Sequence, residues 1–168
     1  VAGAGATTNA SGVATVGSWT LGATTGANRL TALVVANGVT SNPVTFNATA
    51  TAGAPAALQA QGSTSLTATA GALVSPVPSV RVVDAAGNPV SNVTVTFTAS
   101  TGSTVVGASK VTNSNGLATP DSWQVGASLG NYTLTASVGT VTTVFTATAR
   151  AGAATSLSIF AGNNQTAS

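Results

Sequence analysis

Cysteine, histidine, methionine and glutamate are all missing from this chain of 168 residues. Without cysteine there is neither a disulfide framework nor a thiolate metal site. With no histidine and no cysteine, a Ser-His-Asp or Cys-His system of hydrolytic catalysis is excluded by inventory. Charge is scarce too, at 4% of residues against about 25% in an ordinary domain. The charged inventory is Arg29, Arg81, Lys110, Arg150, Asp84 and Asp121. A net charge of +2 therefore reflects four bases against two acids, not a basic patch, and gives no footing for nucleic acid. No apolar window of ~18 residues exists for a membrane helix; the run 30–39 is broken by Thr31, Asn37 and Gly38. A membrane barrel would need large apolar residues and aromatic girdles outside, where this chain has Thr, Ser and Asn. The opening Val-Ala-Gly-Ala-Gly-Ala lacks the charged region and apolar core of a signal peptide.

What is present is sheet-forming sequence. Hydrophobic residues make up 43%, largely Val, Ala and Leu interleaved with Thr, the composition of half-buried pleated surfaces. Residues 80–99 show the pattern most clearly: Val93, Val95 and Phe97 alternate with Thr94, Thr96 and Thr98, one face buried and one wet. Before them, Asp84 to Pro89 must turn. Gly87 and Asn88 accept positive φ, Pro89 lacks an N–H, and the Asp84 carboxylate can cap amides between Ala86 and Asn88. Similar patterns predict strands near 57–60, 65–70, 79–83, 93–99, 104–108, 116–119, 122–125, 132–138 and 141–149, with Gly, Asn and Pro in the gaps. No stretch has helical spacing. Short strands at this rhythm predict an all-β fold of tandem immunoglobulin-like sandwiches with Greek-key topology.

The chain also repeats itself. Gly12 to Gly22, around Ser18-Trp19, returns as Gly116 to Gly126, around Ser122-Trp123, a step of 104 residues from Trp19 to Trp123. From Phe46 to Phe145 the step is 99, so the first copy carries about five extra residues around 37–42. The step of 99 continues from Ala52-Gly53-Ala54 to Ala151-Gly152-Ala153. Residues 1–50 then read as the C-terminal half of one module, 51–149 as a complete module, and 150–168 as the first strand or strands of the next. Neither end supplies an equivalent of 70–104, so the expectation is a segment of a longer array whose partners are neighbouring modules of the same protein.

Val82-Val83-Asp84-Ala85-Ala86-Gly87-Asn88-Pro89-Val90, the Val93 to Phe97 strand, Thr112-Asn113 to Ala118, Ser122-Trp123, and Leu134-Thr135-Ala136 with Phe145 together resemble the bacterial immunoglobulin-like repeats of the invasin and intimin type. The resemblance covers essentially the whole chain. It implies a stalk role in a large extracellular surface protein or adhesin, carrying binding domains that lie elsewhere. Two further readings stand beside the shaft: a ligand-binding module whose loops contact glycan or a host protein, and a virion surface decoration. The scarcity of charge adds lateral self-association into a fibre.

The candidate residues are structural. Asp84, Gly87, Asn88 and Pro89 form the marker turn; Trp19, Trp123, Phe46, Phe97 and Phe145 are expected core anchors, two pairs of them in register. No catalytic, cofactor or metal-binding set emerges, since the junctions at 50–55 and 149–154 carry no carboxylates for calcium. Linker stiffness is expected from shortness and packing. Lys110 corresponds to Ala6 and Asp121 to Gly17, so neither a repeated isopeptide crosslink nor a repeated acid pair is supported; Lys110 is expected on an edge strand. Tyr132 corresponds to Asn28, and a tyrosine corner is discounted on that ground. Sequons at Asn9, Asn47, Asn92, Asn131 and Asn164 make glycans candidate partners.

Overall fold

A computed structural model describes residues 1–36 and 39–158. Among them there are strands and no helix: β1 (Gly26–Ala32), β2 (Val35–Ala36), β3 (Val39–Thr40), β4 (Val44–Ala50), β5 (Ala57–Gln61), β6 (Ser65–Thr69), β7 (Ser79–Val83), β8 (Thr94–Ala99), β9 (Thr104–Val106), β10 (Ser109–Val111), β11 (Leu117–Ala118), β12 (Ser122–Gln124), β13 (Gly130–Val138) and β14 (Val141–Arg150).

The Thr alternation accounts for β8. Val95 and Phe97 are buried while Thr94, Thr96 and Thr98 are exposed. β13 buries Tyr132, Leu134 and Ala136 in the same way, and β14 buries Phe145, Ala147 and Ala149. Every second side chain leaves water together, and each large one contributes about 1.5–3 kcal/mol. The strands assemble into a five-stranded sheet, β10-β8-β13-β14-β6, and a three-stranded sheet, β11-β7-β5. Val80 and Val82 of the smaller sheet share one core with Val95, Phe97, Leu134 and Phe145 of the larger. The chain crosses between sheets at each step from β5 to β8, and again from β10 to β11 and between β11 and β13, giving the Greek-key immunoglobulin-like sandwich expected. β9 and β12 form a separate ladder, Trp123 opposite Val105.

β10 carries Lys110, expected on an edge strand, although the alternation does not mark its bounds. Ser-Lys-Val has no apolar face of its own; backbone pairing with β8, Lys110 opposite Val95, makes it a strand. It is an edge of the large sheet, and its lysine discourages further pairing there. The other edge is β6, which lies parallel to β14, from Ser65 opposite Thr146 to Thr69 opposite Arg150.

The sequence repeat is a structural repeat at residue resolution. In the β1–β4 hairpin Gly26 faces Ala50 and Leu30 faces Phe46; in β13–β14 Gly130 faces Ala149 and Leu134 faces Phe145. The Ala2–Ser18 bridge matches the Val106–Ser122 pair of β9–β12. Asn9 Oδ1 accepts the N–H groups of Ser11 and Val13, both at 3.0 Å, and Asn113 Oδ1 accepts those of Asn115 and Leu117 at 2.9 and 3.1 Å.

Burial does not repeat. Among the described residues, every buried apolar side chain lies between Val74 and Ala149. Trp123 and Phe145 are fully buried, whereas Trp19 is half-buried and Phe46 is 52% exposed. The anchor role expected of Trp19 and Phe46 is therefore not realised in this chain, because the segment that covers their counterparts, between Val74 and Phe97, has no equivalent in residues 1–50. Residues 151–158 form no strand, although a first strand was expected within 150–168; β5, the counterpart of 156–160, is held by pairing with β7, and residues 159–168 lie outside the described residues. Of the longer loop at 37–42, residues 37 and 38 lie outside the described residues, as does Asn164.

Candidate inter-module site

The turn after β7 is built from its own side chains. Gly87 takes φ +85°, a left-handed conformation that costs glycine nothing. Asn88, which could also have accepted it, does not; among the described residues the non-glycine residue with positive φ is Asn92, at 59°. Asp84 Oδ1 accepts the N–H groups of Ala86 at 2.9 Å and Asn88 at 2.8 Å, within the span where capping was expected. Pro89 is half-buried and bridges back to Val83.

The second carboxylate oxygen turns outward from this cap to the linker. Asp84 Oδ2 accepts the N–H of Gly53 and the side-chain amide of Asn88, both at 2.9 Å. The Asn88 amide then reaches residues that precede β1. Its Nδ2 donates to Ala23 O at 2.7 Å, and its Oδ1 accepts the Thr25 N–H at 3.1 Å. Two side chains, each 7% exposed, thus join three segments of chain: the turn, the linker at Gly53, and the loop at 23–25. The linker is held by directed hydrogen bonds as well as by its shortness and by Ala52 packed on the core. Spacing alone did not reveal this. The available signal was a second Asx side chain four residues after the first, when one suffices to cap a turn.

Four donors on one carboxylate favour its ionised form. The Asn88 amide contributes most, then the Gly53 N–H, and burial opposes them, leaving Asp84 at about 2, below the ordinary 3.8. A carboxylate depressed in the folded state adds stability that is complete above its unfolded value and lost as pH falls through its folded value. The melting temperature is therefore expected to hold between pH 7 and pH 5 and to drop between about pH 4 and pH 2. Asp84→Asn should be less stable at neutral pH and nearly flat across that acid range. A wild-type-like acid limb in D84N would place the titrating group elsewhere.

The remaining candidates lie apart from this turn. Trp123, Phe97 and Phe145 lie in the core between the two sheets; Trp123 Nε1 is buried without a partner. Trp19, Phe46, Leu30 and Val16 line an open groove of ≈ 760 Å³ in residues 1–47. Lys110 and Asp121 form an exposed pair at 2.6 Å, worth at most about 1 kcal/mol. Asn9, Asn47, Asn92 and Asn131 are exposed. Tyr132 requires a correction: its hydroxyl donates to Ser128 O at 3.0 Å, four residues upstream, which is a tyrosine-corner bond. Absence from the first copy was a poor reason to discount it, because there Asn28 Oδ1 ties the same loop by accepting the Gly22 N–H at 3.1 Å. Among the described residues no three His, Cys, Asp or Glu side chains gather, and no helix is long and apolar enough to cross a membrane.

No protein-family model matches the chain, and no curated protein matches it. Solved structures do. The Escherichia coli adhesin FdeC aligns over 76% of this chain and 41% of its own, with TM-score 0.51 and 19% identity. A C-terminal fragment of intimin, solved with the intimin-binding domain of its translocated receptor, aligns over 57% of this chain and 33% of its own, with TM-score 0.44 and 23% identity. A family 2 glycosyl hydrolase from Bacteroides cellulosilyticus aligns over 73% and 17%, with TM-score 0.46 and 19% identity. The first alignment supports the immunoglobulin-like sandwich fold; at that identity it carries nothing of function, and the chain spans about two fifths of that adhesin's length.

Proposed function

We propose that this chain is a load-bearing repeat segment from the shaft of an extracellular bacterial adhesin or surface fibre. In this reading residues 1–50 belong to one immunoglobulin-like module, 51–149 form a complete one, and 150–168 open the next. The observation that carries it is the parallel pairing of β6 with β14, the first and last strands of the large sheet. Tension applied along the array pulls these strands in opposite directions along their length. Their hydrogen bonds are loaded together in shear instead of opening one at a time. The ladder is closed at both ends, by Thr146 N–H to Thr64 O and by Ala70 N–H to Arg150 O, each 2.8 Å.

The Asp84–Asn88 turn supplies the second requirement of a shaft, a junction that fixes one module against the next. A location on the cell surface follows the resemblance to invasin and intimin repeats, and the fold shared with a bacterial adhesin agrees with it. The exposed sequons leave glycans as candidate decorations of the shaft. Stretching the full chain between its termini by force spectroscopy tests the proposal. A discrete rupture that releases the length of the complete module is expected, whereas smooth extension at low force would remove the load-bearing role.

A further inference from the structure

The junction described above uses one end of the complete module; the other end carries the matching half of a second junction. We infer that the loop at 126–130, together with Gly152, is a docking surface for the Asp84–Asn88-type turn of a following module. This rests on the tandem reading of the chain.

The correspondence is atom by atom. Gly22-Ala23-Thr24-Thr25-Gly26 returns as Gly126-Ala127-Ser128-Leu129-Gly130, and Gly53 returns as Gly152. Both loops enter their hairpin through a glycine of the same unusual conformation, φ +138° at Gly26 and +142° at Gly130. In the first copy, Ala23 O, Thr25 N–H and Gly53 N–H are taken up by Asn88 and Asp84. In the second, Ala127 O, Leu129 N–H and Gly152 N–H have no hydrogen-bond partner among the described residues. Exposure follows the same division: Thr25 is half-buried, while Leu129 is 65% exposed.

The chemistry of the surface selects its occupant. It offers the counterparts of the three groups that, in the first copy, take up both ends of one primary amide and one carboxylate oxygen: a carbonyl and two N–H groups. An Asn–Asp pair held four residues apart on a turn satisfies all three; a metal ion would leave both N–H groups unpaired, and a lone anion would leave the carbonyl unpaired. The loop is also held in advance, because Tyr132 donates to Ser128 O and the Gly71 N–H donates to Gly126 O at 2.8 Å. Little conformational freedom is lost on docking.

The test extends the full chain after Ser168, the counterpart of Thr69, with a second copy of residues 70–149, which completes a third module and brings a second Asp84 and Asn88. Amide hydrogen exchange at Leu129 and Gly152 is then compared with the unextended chain. Docking is expected to slow both by about tenfold or more, and the appended Asn88→Ala is expected to return Leu129 to its original rate. A protected indole signal from the appended Trp123 reports whether the third module folds. If it folds and Leu129 exchanges as before, the docking surface is refuted while the tandem reading stands. If it does not fold, the tandem reading fails and the docking surface fails with it.

Discussion

Phe145→Ala is expected to cost about 3–5 kcal/mol of unfolding free energy, and Phe46→Ala, its counterpart one repeat earlier, less than about 1 kcal/mol. The two phenylalanines occupy the same register, opposite Leu134 and Leu30. They differ in what lies over them. Phe145 is fully buried within a core that includes Val80, Val82, Phe97 and Trp123, so truncation removes apolar contacts and leaves a cavity. Phe46 is 52% exposed and lines an open groove; alanine there vacates space that water already reaches. Chemical denaturation of the two variants measures the difference. Equal losses would mean that the first hairpin is covered in solution by something absent from this arrangement.

Gly116→Ala and Gly12→Ala form a second pair with unequal outcomes. Both glycines have positive φ, +73° and +76°, so alanine at either pays about 1–2 kcal/mol for the left-handed conformation. At Gly12 a Cβ meets nothing within 4 Å, but at Gly116 it falls 2.6 Å from Val82 O and 3.2 Å from Pro89 Cβ. Val82 also donates its N–H to Gly116 O at 2.8 Å, so neither backbone can retreat without opening a bond. Overpacking adds to the strain, and the expected loss for Gly116→Ala is on the order of 2–5 kcal/mol, against about 1–2 for Gly12→Ala. Thermal melts of both resolve the contrast. A Gly116 variant no worse than the Gly12 variant would show that Gly116 is not packed against Val82 and Pro89 as closely as described.

The fold was legible wherever burial is one-sided. Thr94 to Thr98 spell out β8 because water lies on one face and the core on the other, and a period of two cannot be mistaken there. The correspondence of the two hairpins was legible as well, since Leu30 and Phe46 return as Leu134 and Phe145 at steps of 104 and 99. Lys110 was expected on an edge strand and lies on one, but the bounds of β10 were not legible, because backbone bonds to β8 leave no trace in side-chain pattern. Trp19 and Phe46 mark a different limit. Their sequence context equals that of Trp123 and Phe145, but burial is a property of what the rest of the chain supplies, and residues 1–50 do not supply it. At the turn, the capping by Asp84 Oδ1 follows from local chemistry, within four residues. The bonds from Oδ2 to Gly53 and from Asn88 to Ala23 and Thr25 span from 31 to 65 residues, and no local rule reaches so far.

Two variants matched in thermal stability test the load-bearing claim most directly. The two-residue period of the parallel ladder, fixed by Thr146 N–H to Thr64 O and Ala70 N–H to Arg150 O, makes the Ala68 N–H a donor to β14. Ala68→Pro removes it from the ladder under shear, while Val82→Ala weakens the core away from that ladder. Force spectroscopy on the two, at temperatures chosen to equalise their unfolding free energies, is expected to give a distinctly lower rupture force for A68P. Equal rupture forces would contradict the assignment of mechanical resistance to the β6–β14 ladder, and with it the central support for a shaft.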